Sequence, residues 1–245
     1  SIELTKAAEK AGVHGAMLVG PYYNKPPQEG FYQHFSAIAA KTELPLIVYN
    51  VPGRTASNIL PATVARLASI PNIVALKEAA GQMEQVSELL RILPDDFTVY
   101  SGDDSLTLPM LAVGAHGVIS VAGHIIGSEM QEMMAAYQAG NVQKAAALHR
   151  MLTPFFKVIF VTTNPIPIKA PLGLKGLPAG PTRLPLIEPT AAESRRPGRH
   201  PGSGAGGNRR RHRADSSTGQ HSLCGNTANR FSERHSQAQS DARWR

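Results

Sequence analysis

Cysteine and long apolar runs are nearly absent from this sequence of 245 residues. Its single cysteine, Cys224, has no partner for a disulfide within the chain, which fits a reducing compartment. No apolar run approaches the roughly 18 residues that a membrane span needs. Residues 1–12 lack the basic start and the apolar core of a secretion signal. We therefore expect a cytoplasmic protein that makes no membrane contact.

Sequence signatures of several common functional classes are also missing. No GxSxG, Walker or GxGxxG pattern occurs before residue 195, so nothing supports serine-hydrolase chemistry or phosphate binding by a glycine-rich loop. The histidines of this part share no metal-ligand spacing; they are His14, His34, His116, His124 and His149. We expect neither a metal site nor a cofactor.

Positive charge is concentrated at the C-terminal end. Residues 1–194 contain 14 Lys and Arg against 15 Asp and Glu, whereas residues 195–245 contain 11 Arg, no Lys and 3 acidic residues. Residues 195–245 have almost no large aliphatic side chain, so they cannot offset the entropy of ordering, and we predict a disordered tail. Its charge permits weak, salt-sensitive nucleic-acid binding. Without stacking aromatics or RGG repeats, an incidental tail is the better interpretation.

Short apolar runs alternate with helix-period segments in residues 1–194, a pattern typical of βαβ units and a parallel sheet. The candidate strands are GAMLVGPY, LPLIVYNV, NIVALKEA, FTVYSGDD and HGVISVAG. Pro61 suits the first turn of one intervening helix. After the fifth strand we predict two helices separated at Gly140-Asn141, the first with Ser128 as its N-cap.

Polar residues gather where these strands end: Tyr22 to Asn24, Tyr49-Asn50, Lys77-Glu78 and Gly102 to Asp104. The carboxyl ends of parallel strands form the ligand-binding edge of α/β sheets and barrels. The sequence therefore predicts one functional face.

Lys77 ends an apolar run that is predicted to be buried on both faces. A buried lysine without a partner tends to lose its proton, and a neutral amine attacks carbonyl groups to form a Schiff base. The alternative is a lysine that emerges into solvent and pairs with Glu78.

Three further residues have a functional and a structural interpretation. Tyr49 could relay protons to an imine-forming lysine, or be a core aromatic whose hydroxyl finds a partner. Arg54 could bind a substrate carboxylate through its planar guanidinium group, or be an ordinary surface arginine. Gly102 allows close approach of a ligand, or serves a tight turn.

Five motifs in order carry a family resemblance: GPYYNKPPQEGFYQHF, LPLIVYNVPGRTASNI, NIVALKEAAG, VYSGDDSLTLPMLAVGAHGVISV and NPIPIKA. From Ser1 to about Ser194 the chain resembles the dihydrodipicolinate synthase family. That resemblance implies a (β/α)8 TIM barrel with a C-terminal helical region. It also implies condensation of pyruvate with aspartate 4-semialdehyde in lysine and diaminopimelate biosynthesis. N-acetylneuraminate lyases and keto-deoxy-sugar aldolases share the lysine and the tyrosine, and they remain the alternative.

The resemblance also implies residue roles. Lys77 matches the Schiff-base lysine, Tyr49 the proton-relaying tyrosine, and Arg54 the arginine that holds the aldehyde's carboxylate. Gly102 and Ile119 match positions whose backbone lines the pyruvate pocket.

Two tyrosines match positions that imply assembly and regulation. Tyr23 matches a tyrosine that reaches across a dimer interface, which implies a homodimer or homotetramer. Tyr22 lies where some members bind the feedback inhibitor lysine.

The chain departs from the family pattern in its length. Residues 1–127 match only the fourth to eighth βα units of a partial barrel, residues 128–194 match the last barrel helix and the C-terminal helical region, and the tail matches nothing. The family's threonine that completes the proton relay has no counterpart. Pro171 stands inside an expected helix, where proline costs about 3 kcal/mol. We therefore hypothesise a partial or frameshifted gene product, and an inactive fragment is the alternative to a working lyase.

Overall fold

The structure is a computed structural model that describes residues 1–177, 179–190 and 193. The predicted disordered tail, 195–245, lies outside the described residues. Five parallel strands form one sheet in chain order: β1 (Ala16–Val19), β2 (Leu46–Asn50), β3 (Ile73–Glu78), β4 (Thr98–Ser101) and β5 (Gly117–Val118). The five predicted strands and their parallel arrangement are thus confirmed, although β5 is only two residues long. Among the described residues the sheet stays open, with β1 and β5 at its edges.

Helices follow the strands as the periodicity predicts. They are α1 (Ile2–Lys10), α2 (Gln28–Ala39), α3 (Pro52–Thr55), α4 (Pro61–Ala68), α5 (Met83–Ile92), α6 (Thr107–Ala112), α7 (Gly123–Gln138), α8 (Val142–Val158) and α9 (Ile166–Leu174). A 3-10 turn, Asp104–Leu106, precedes α6. The short helix α3 has the sequence PGRT, a stretch too short for helical periodicity to reveal.

The main apolar core lies between one face of the sheet and the helices. Four strand residues on this face are almost fully buried: Leu46 and Val48 of β2, Leu76 of β3 and Val99 of β4. Along the strands they alternate with residues of the opposite face. They pack with buried side chains of α2, α4 and α5, namely Phe31, Phe35, Val64, Leu67, Val86 and Leu89. Each buried side chain of this size contributes about 2 kcal/mol, so this layer holds the strands in place.

A second apolar cluster joins α7, α8 and α9. Its buried members include Ile126, Met130, Met133, Leu152, Phe156 and Ile168. The break between α7 and α8 at Gly140-Asn141 is confirmed, and the Asn141 side chain accepts a hydrogen bond from the Lys144 N–H at the start of α8.

The predicted cap at Ser128 is wrong. Helix α7 begins at Gly123, five residues earlier, and has non-helical dihedral angles at Ile126 (φ −120°, ψ 34°). The chain therefore bends just before Ser128, and the residues ahead of the bend already form a helical turn. The prediction of Pro61 in a first helical turn is confirmed. Pro171 lies inside α9, which continues to Leu174.

Candidate active site

Lys77 lies in the middle of the sheet, between two tyrosines. The strand register pairs Tyr49 of β2 with Lys77 of β3, and Lys77 with Tyr100 of β4. Residues paired in this way project from the same face of a sheet. The Lys77 side chain is only 8% exposed, and its Nζ lies 4.1 Å from the centroid of the Tyr49 ring.

Burial changes the acid–base properties of this pair. It lowers the pKa of the Lys77 amine, because the charged form loses its hydration, while the Asp104 carboxylate opposes this effect. Burial also raises the pKa of the Tyr49 hydroxyl, with Arg54 opposing. A lysine with a lowered pKa beside a neutral phenol is suited to nucleophilic attack on a carbonyl group.

Glu78 does not pair with Lys77. The two residues are neighbours on a strand, so their side chains project from opposite faces, and the Glu78 carboxylate is buried beneath the sheet. It accepts hydrogen bonds from Asn50 Nδ2 at 3.0 and 3.2 Å, Gln85 Nε2 at 3.2 Å and the Ala80 N–H at 2.6 Å. The alternative interpretation of Lys77, a solvated lysine paired with Glu78, is therefore wrong.

Polar contacts continue from Glu78 into the loop after β2. Asn50 Nδ2 donates to Asn58 Oδ1 at 2.7 Å, and Asn50 Oδ1 accepts from the Ile59 N–H at 3.0 Å. Asn58 Nδ2 in turn donates to Gln85 Oε1 at 2.7 Å. This amide cluster, Asn50, Asn58 and Gln85, joins the ends of β2 and β3 to α5 directly behind the Tyr49 and Lys77 pair. Sequence reasoning missed it, because nothing in the sequence alone shows which amides converge.

Gly102 follows β4 and contacts the lysine side chain. Its N–H donates to the Glu78 carbonyl at 2.7 Å. A Cβ atom at this position would lie 3.1 Å from Lys77 Cε and 2.8 Å from Ala79 Cβ. The absence of a side chain here is therefore what leaves room for the lysine.

Ile119 lies next to this region, on the segment after β5. Its N–H donates to the Ser101 carbonyl at 2.9 Å, which extends the pairing of β4 and β5 by one residue. The predicted pocket positions Gly102 and Ile119 thus lie at the same end of adjacent strands.

Arg54 lies in α3, five residues after Tyr49, and its side chain is exposed. Its Nη2 donates to the Asn164 carbonyl at 3.3 Å, so the segment before α9 positions the guanidinium. This contact spans 110 residues of sequence, which is why sequence reasoning missed it.

Tyr22 and Tyr23 are not packed against the lysine side chain. Their side chains are 68% and 93% exposed. Tyr23 has a left-handed φ of 71°, a conformation that costs a residue with a Cβ roughly 1–2 kcal/mol. These two residues lie exposed on the segment that follows β1.

The described part of the chain contains no group of three or more His, Cys, Asp or Glu side chains arranged to hold a metal ion. In that same part, no helix is both long and apolar enough to cross a membrane.

Comparison with known proteins shows which family the chain belongs to. Residues 1–197 match the model of the dihydrodipicolinate synthetase family. The chain belongs to this family. The predicted family and its (β/α)8-barrel fold class are confirmed, with five strands of an open barrel in the described residues.

Relatives agree with the assignment. The chain is 61% identical over 188 residues to the 4-hydroxy-tetrahydrodipicolinate synthase of Heliobacterium modesticaldum, a match that covers 77% of this chain and 63% of the relative. The chain thus spans less than two thirds of that relative's length.

Solved structures agree as well. The crystal structure of a dihydrodipicolinate synthase from Bacillus anthracis has 53% identity and a TM-score of 0.77, covering 79% of this chain and 66% of that one. A chloride-inhibited dihydrodipicolinate synthase from Acinetobacter baumannii, complexed with pyruvate, has 44% identity and a TM-score of 0.75, covering 78% of this chain and 66% of that one.

Proposed function

We propose that this chain carries the pyruvate-activating site of a 4-hydroxy-tetrahydrodipicolinate synthase, a lyase of lysine and diaminopimelate biosynthesis. The observation that carries the proposal is the Lys77 amine, buried over the Tyr49 ring and given room by Gly102. The pyruvate complex of the Acinetobacter baumannii relative supports pyruvate as the first substrate.

Lys77 would act as the nucleophile. Its neutral amine adds to the keto carbon of pyruvate, and water leaves with uptake of one proton, giving an iminium ion. Loss of a proton from the methyl carbon gives an enamine, which attacks the aldehyde carbon of aspartate 4-semialdehyde. Tyr49 is positioned to exchange protons with these intermediates, and its raised pKa keeps the hydroxyl protonated and able to donate.

Arg54 would select the second substrate. Aspartate 4-semialdehyde carries a carboxylate, which a guanidinium can bind through two parallel hydrogen bonds. The sugar acceptor N-acetylmannosamine, which belongs to the N-acetylneuraminate lyase alternative, offers no carboxylate. The exposed Arg54, held by Asn164, therefore favours the synthase over the sugar aldolases.

Assembly and regulation of the protein are also proposed. Tyr23 would enter the site of a neighbouring protomer in a homodimer or homotetramer, and its exposure and left-handed φ support a role at an interface. Tyr22 would contact the inhibitor lysine, and the backbone of Gly102 and Ile119 would line the pyruvate pocket. The division into residues 1–127 and 128–194 stays a prediction; the second apolar cluster has members on both sides of residue 127, such as Ile126 and Met130.

The choice of acceptor can be tested directly. The full chain is incubated with pyruvate and either aspartate 4-semialdehyde or N-acetylmannosamine, and the products are followed by mass spectrometry. We expect product from the semialdehyde alone. Turnover of the sugar without turnover of the semialdehyde would contradict the proposal and favour the sugar aldolases.

An arginine variant sharpens this test. Arg54→Met should raise the KM for the semialdehyde about tenfold or more, since hydrogen bonds to charged groups contribute about 1.5–3 kcal/mol. It should leave adduct formation with pyruvate alone unchanged. Arg91→Met is the matched control, because Arg91 forms an exposed ion pair with Glu88 on α5; an equal rise in KM there would contradict the role of Arg54.

A further inference from the structure

Glu78 is a buried carboxylate that the proposed mechanism does not use. Its side chain is almost fully buried, and it projects from the face of the sheet opposite that of Lys77. The strand register pairs Glu78 of β3 with Asn50 of β2, one step along from the pair formed by Tyr49 and Lys77. The carboxylate therefore lies at the same end of the sheet as the proposed nucleophile, on the side that α5 covers.

The direction of each hydrogen bond in the amide cluster follows from one backbone group. An amide side chain can be turned end for end, so a fixed neighbour must decide which of its ends donates. The Ile59 N–H can only donate, and its acceptor is Asn50 Oδ1. Asn50 Nδ2 therefore faces Glu78 and Asn58 Oδ1. Asn58 Nδ2 then faces Gln85 Oε1, and Gln85 Nε2 faces Glu78.

Every recorded partner of the Glu78 carboxyl group is thus a donor. Besides the Asn50 and Gln85 amides, the carboxyl group accepts from the Ala80 backbone N–H. A protonated carboxyl group would need an acceptor for its own hydrogen, and none of these nitrogens can accept. Burial raises the pKa of Glu78, and the hydrogen bonds from these donors oppose that effect. The geometry therefore favours an ionised carboxylate that donors alone hold in place.

Glu78 also joins the three strands that carry the site. Its side chain binds Asn50, which follows Tyr49 on β2. Its backbone carbonyl accepts from the Gly102 N–H, after β4, at 2.7 Å. Loss of the side-chain bonds would free the end of β2 to shift against β3, at the point where Tyr49 lies beside Lys77.

We infer that Glu78 is a positioning residue: its buried carboxylate, acting through the amide cluster, holds the Tyr49 ring beside the Lys77 amine. This inference rests on the proposed function. The Lys77 Nζ lies 4.1 Å from the centroid of the Tyr49 ring, and misplacement of a reacting group by about 1 Å can slow a reaction about 100-fold. Glu78 itself exchanges no proton with the substrate, because its side chain projects from the opposite face of the sheet.

Exchanging an amide and a carboxylate between two positions tests this role. In Glu78→Gln the new amide nitrogen faces at least one donor in either orientation, and Asn50 cannot turn without depriving the Ile59 N–H of its acceptor. In Asn50→Asp two carboxylates face each other. We expect each single variant to be less stable than the wild type and to form the pyruvyl adduct more slowly.

Combining Glu78→Gln with Asn50→Asp restores a complete set of hydrogen bonds at the same total charge. The carboxylate at position 50 accepts from the Ile59 N–H and from the amide at position 78. Asn58 and Gln85 then turn end for end, so that every donor again meets an acceptor. We expect the double variant to unfold cooperatively near the wild-type temperature and to recover most of the lost rate.

The measurement is the rate of adduct formation on Lys77 in the full chain. Borohydride quenches the reaction at successive times, at saturating pyruvate and below the unfolding temperature of each variant. Each single variant should be slower by about 10- to 100-fold. Glu84→Gln is the matched control, because it makes the same chemical change at an exposed position of α5, and it should form adduct at the wild-type rate.

Several results would contradict the inference. Folded single variants that react at the wild-type rate would show that Glu78 serves the fold alone. If the single variants do not fold, the double variant decides: it must fold, and a folded double variant that reacts as slowly as about one hundredth of the wild-type rate overturns the inference. A rate loss in Glu84→Gln equal to that in Glu78→Gln would also overturn it. Absence of adduct in the wild type would instead overturn the proposed function, and the inference with it.

Discussion

Replacing Gly102 by alanine places one methyl group against the lysine side chain. The added Cβ would lie 2.8 Å from Ala79 Cβ, 3.1 Å from Lys77 Cε and 3.2 Å from the Glu78 carbonyl oxygen. The lysine Cε can move by a rotamer change, but the Ala79 Cβ and the Glu78 carbonyl move only with the backbone. The turn after β4 must therefore shift, and with it the space that the lysine occupies.

The cost of this change follows from the crowding. Overpacking by one methyl group typically costs about 1–3 kcal/mol, which for a domain of this size lowers the Tm by roughly 2–4 °C per kcal/mol. Misplacement of a reacting group by about 1 Å can slow a reaction about 100-fold. We therefore expect a modest loss of stability in thermal unfolding and a much larger loss in the rate of pyruvate adduct formation.

A second glycine variant separates these effects. Gly127→Ala adds the same methyl group where nothing lies within 4 Å. Because alanine favours a helix over glycine by about 1 kcal/mol, this variant should be as stable as the wild type or slightly more so, with unchanged adduct formation. A Gly102→Ala chain that formed adduct at the wild-type rate would refute the argument that Gly102 makes room for Lys77.

Further predictions concern stability. Lys77→Met should raise the free energy of unfolding by about 1 kcal/mol at pH 7. Burial lowers the pKa of Lys77 in the folded chain below its ordinary 10.5, so protonation favours the unfolded chain and the wild type loses stability as the pH falls below 10.5. The advantage of methionine in urea unfolding should shrink toward pH 10.5, and a pH-independent difference would contradict this. Asn50→Leu should lower stability by about 3 kcal/mol, because it removes the Asn50 amide as a donor to the buried Glu78 carboxylate and as the acceptor for the Ile59 N–H. Arg66→Ala, which removes an exposed ion pair with Glu29, should cost less than about 1 kcal/mol by the same assay, and equal losses in the two variants would contradict the network argument.

Much of the site could be predicted because the strands are parallel. Apolar runs located the strands, and parallel strands place their carboxyl ends at one edge, so Tyr49, Lys77 and Gly102 were expected together. The register that places Tyr49 directly beside Lys77 could not be predicted, since it includes an irregularity between Leu46 and Ile47. Such an irregularity depends on packing between strands that are far apart in sequence.

Side chains that act through long-range contacts escaped sequence reasoning. Asp104 was expected only as one of several polar residues at a strand end, yet its partners lie 16 to 18 residues later. The Arg54 contact with Asn164 is longer still. Local patterns do not encode these pairings, because tertiary packing creates them.

The central claim is that Lys77 forms an imine with pyruvate, and borohydride reduction followed by peptide mapping tests it most directly. With pyruvate present, the account predicts a reduced pyruvyl adduct on Lys77 in the full chain and none in Lys77→Met. A lysine with ordinary exposure, such as Lys41, should stay unmodified. Adduct spread over exposed lysines, or absent from the peptide that contains Lys77, would contradict the account.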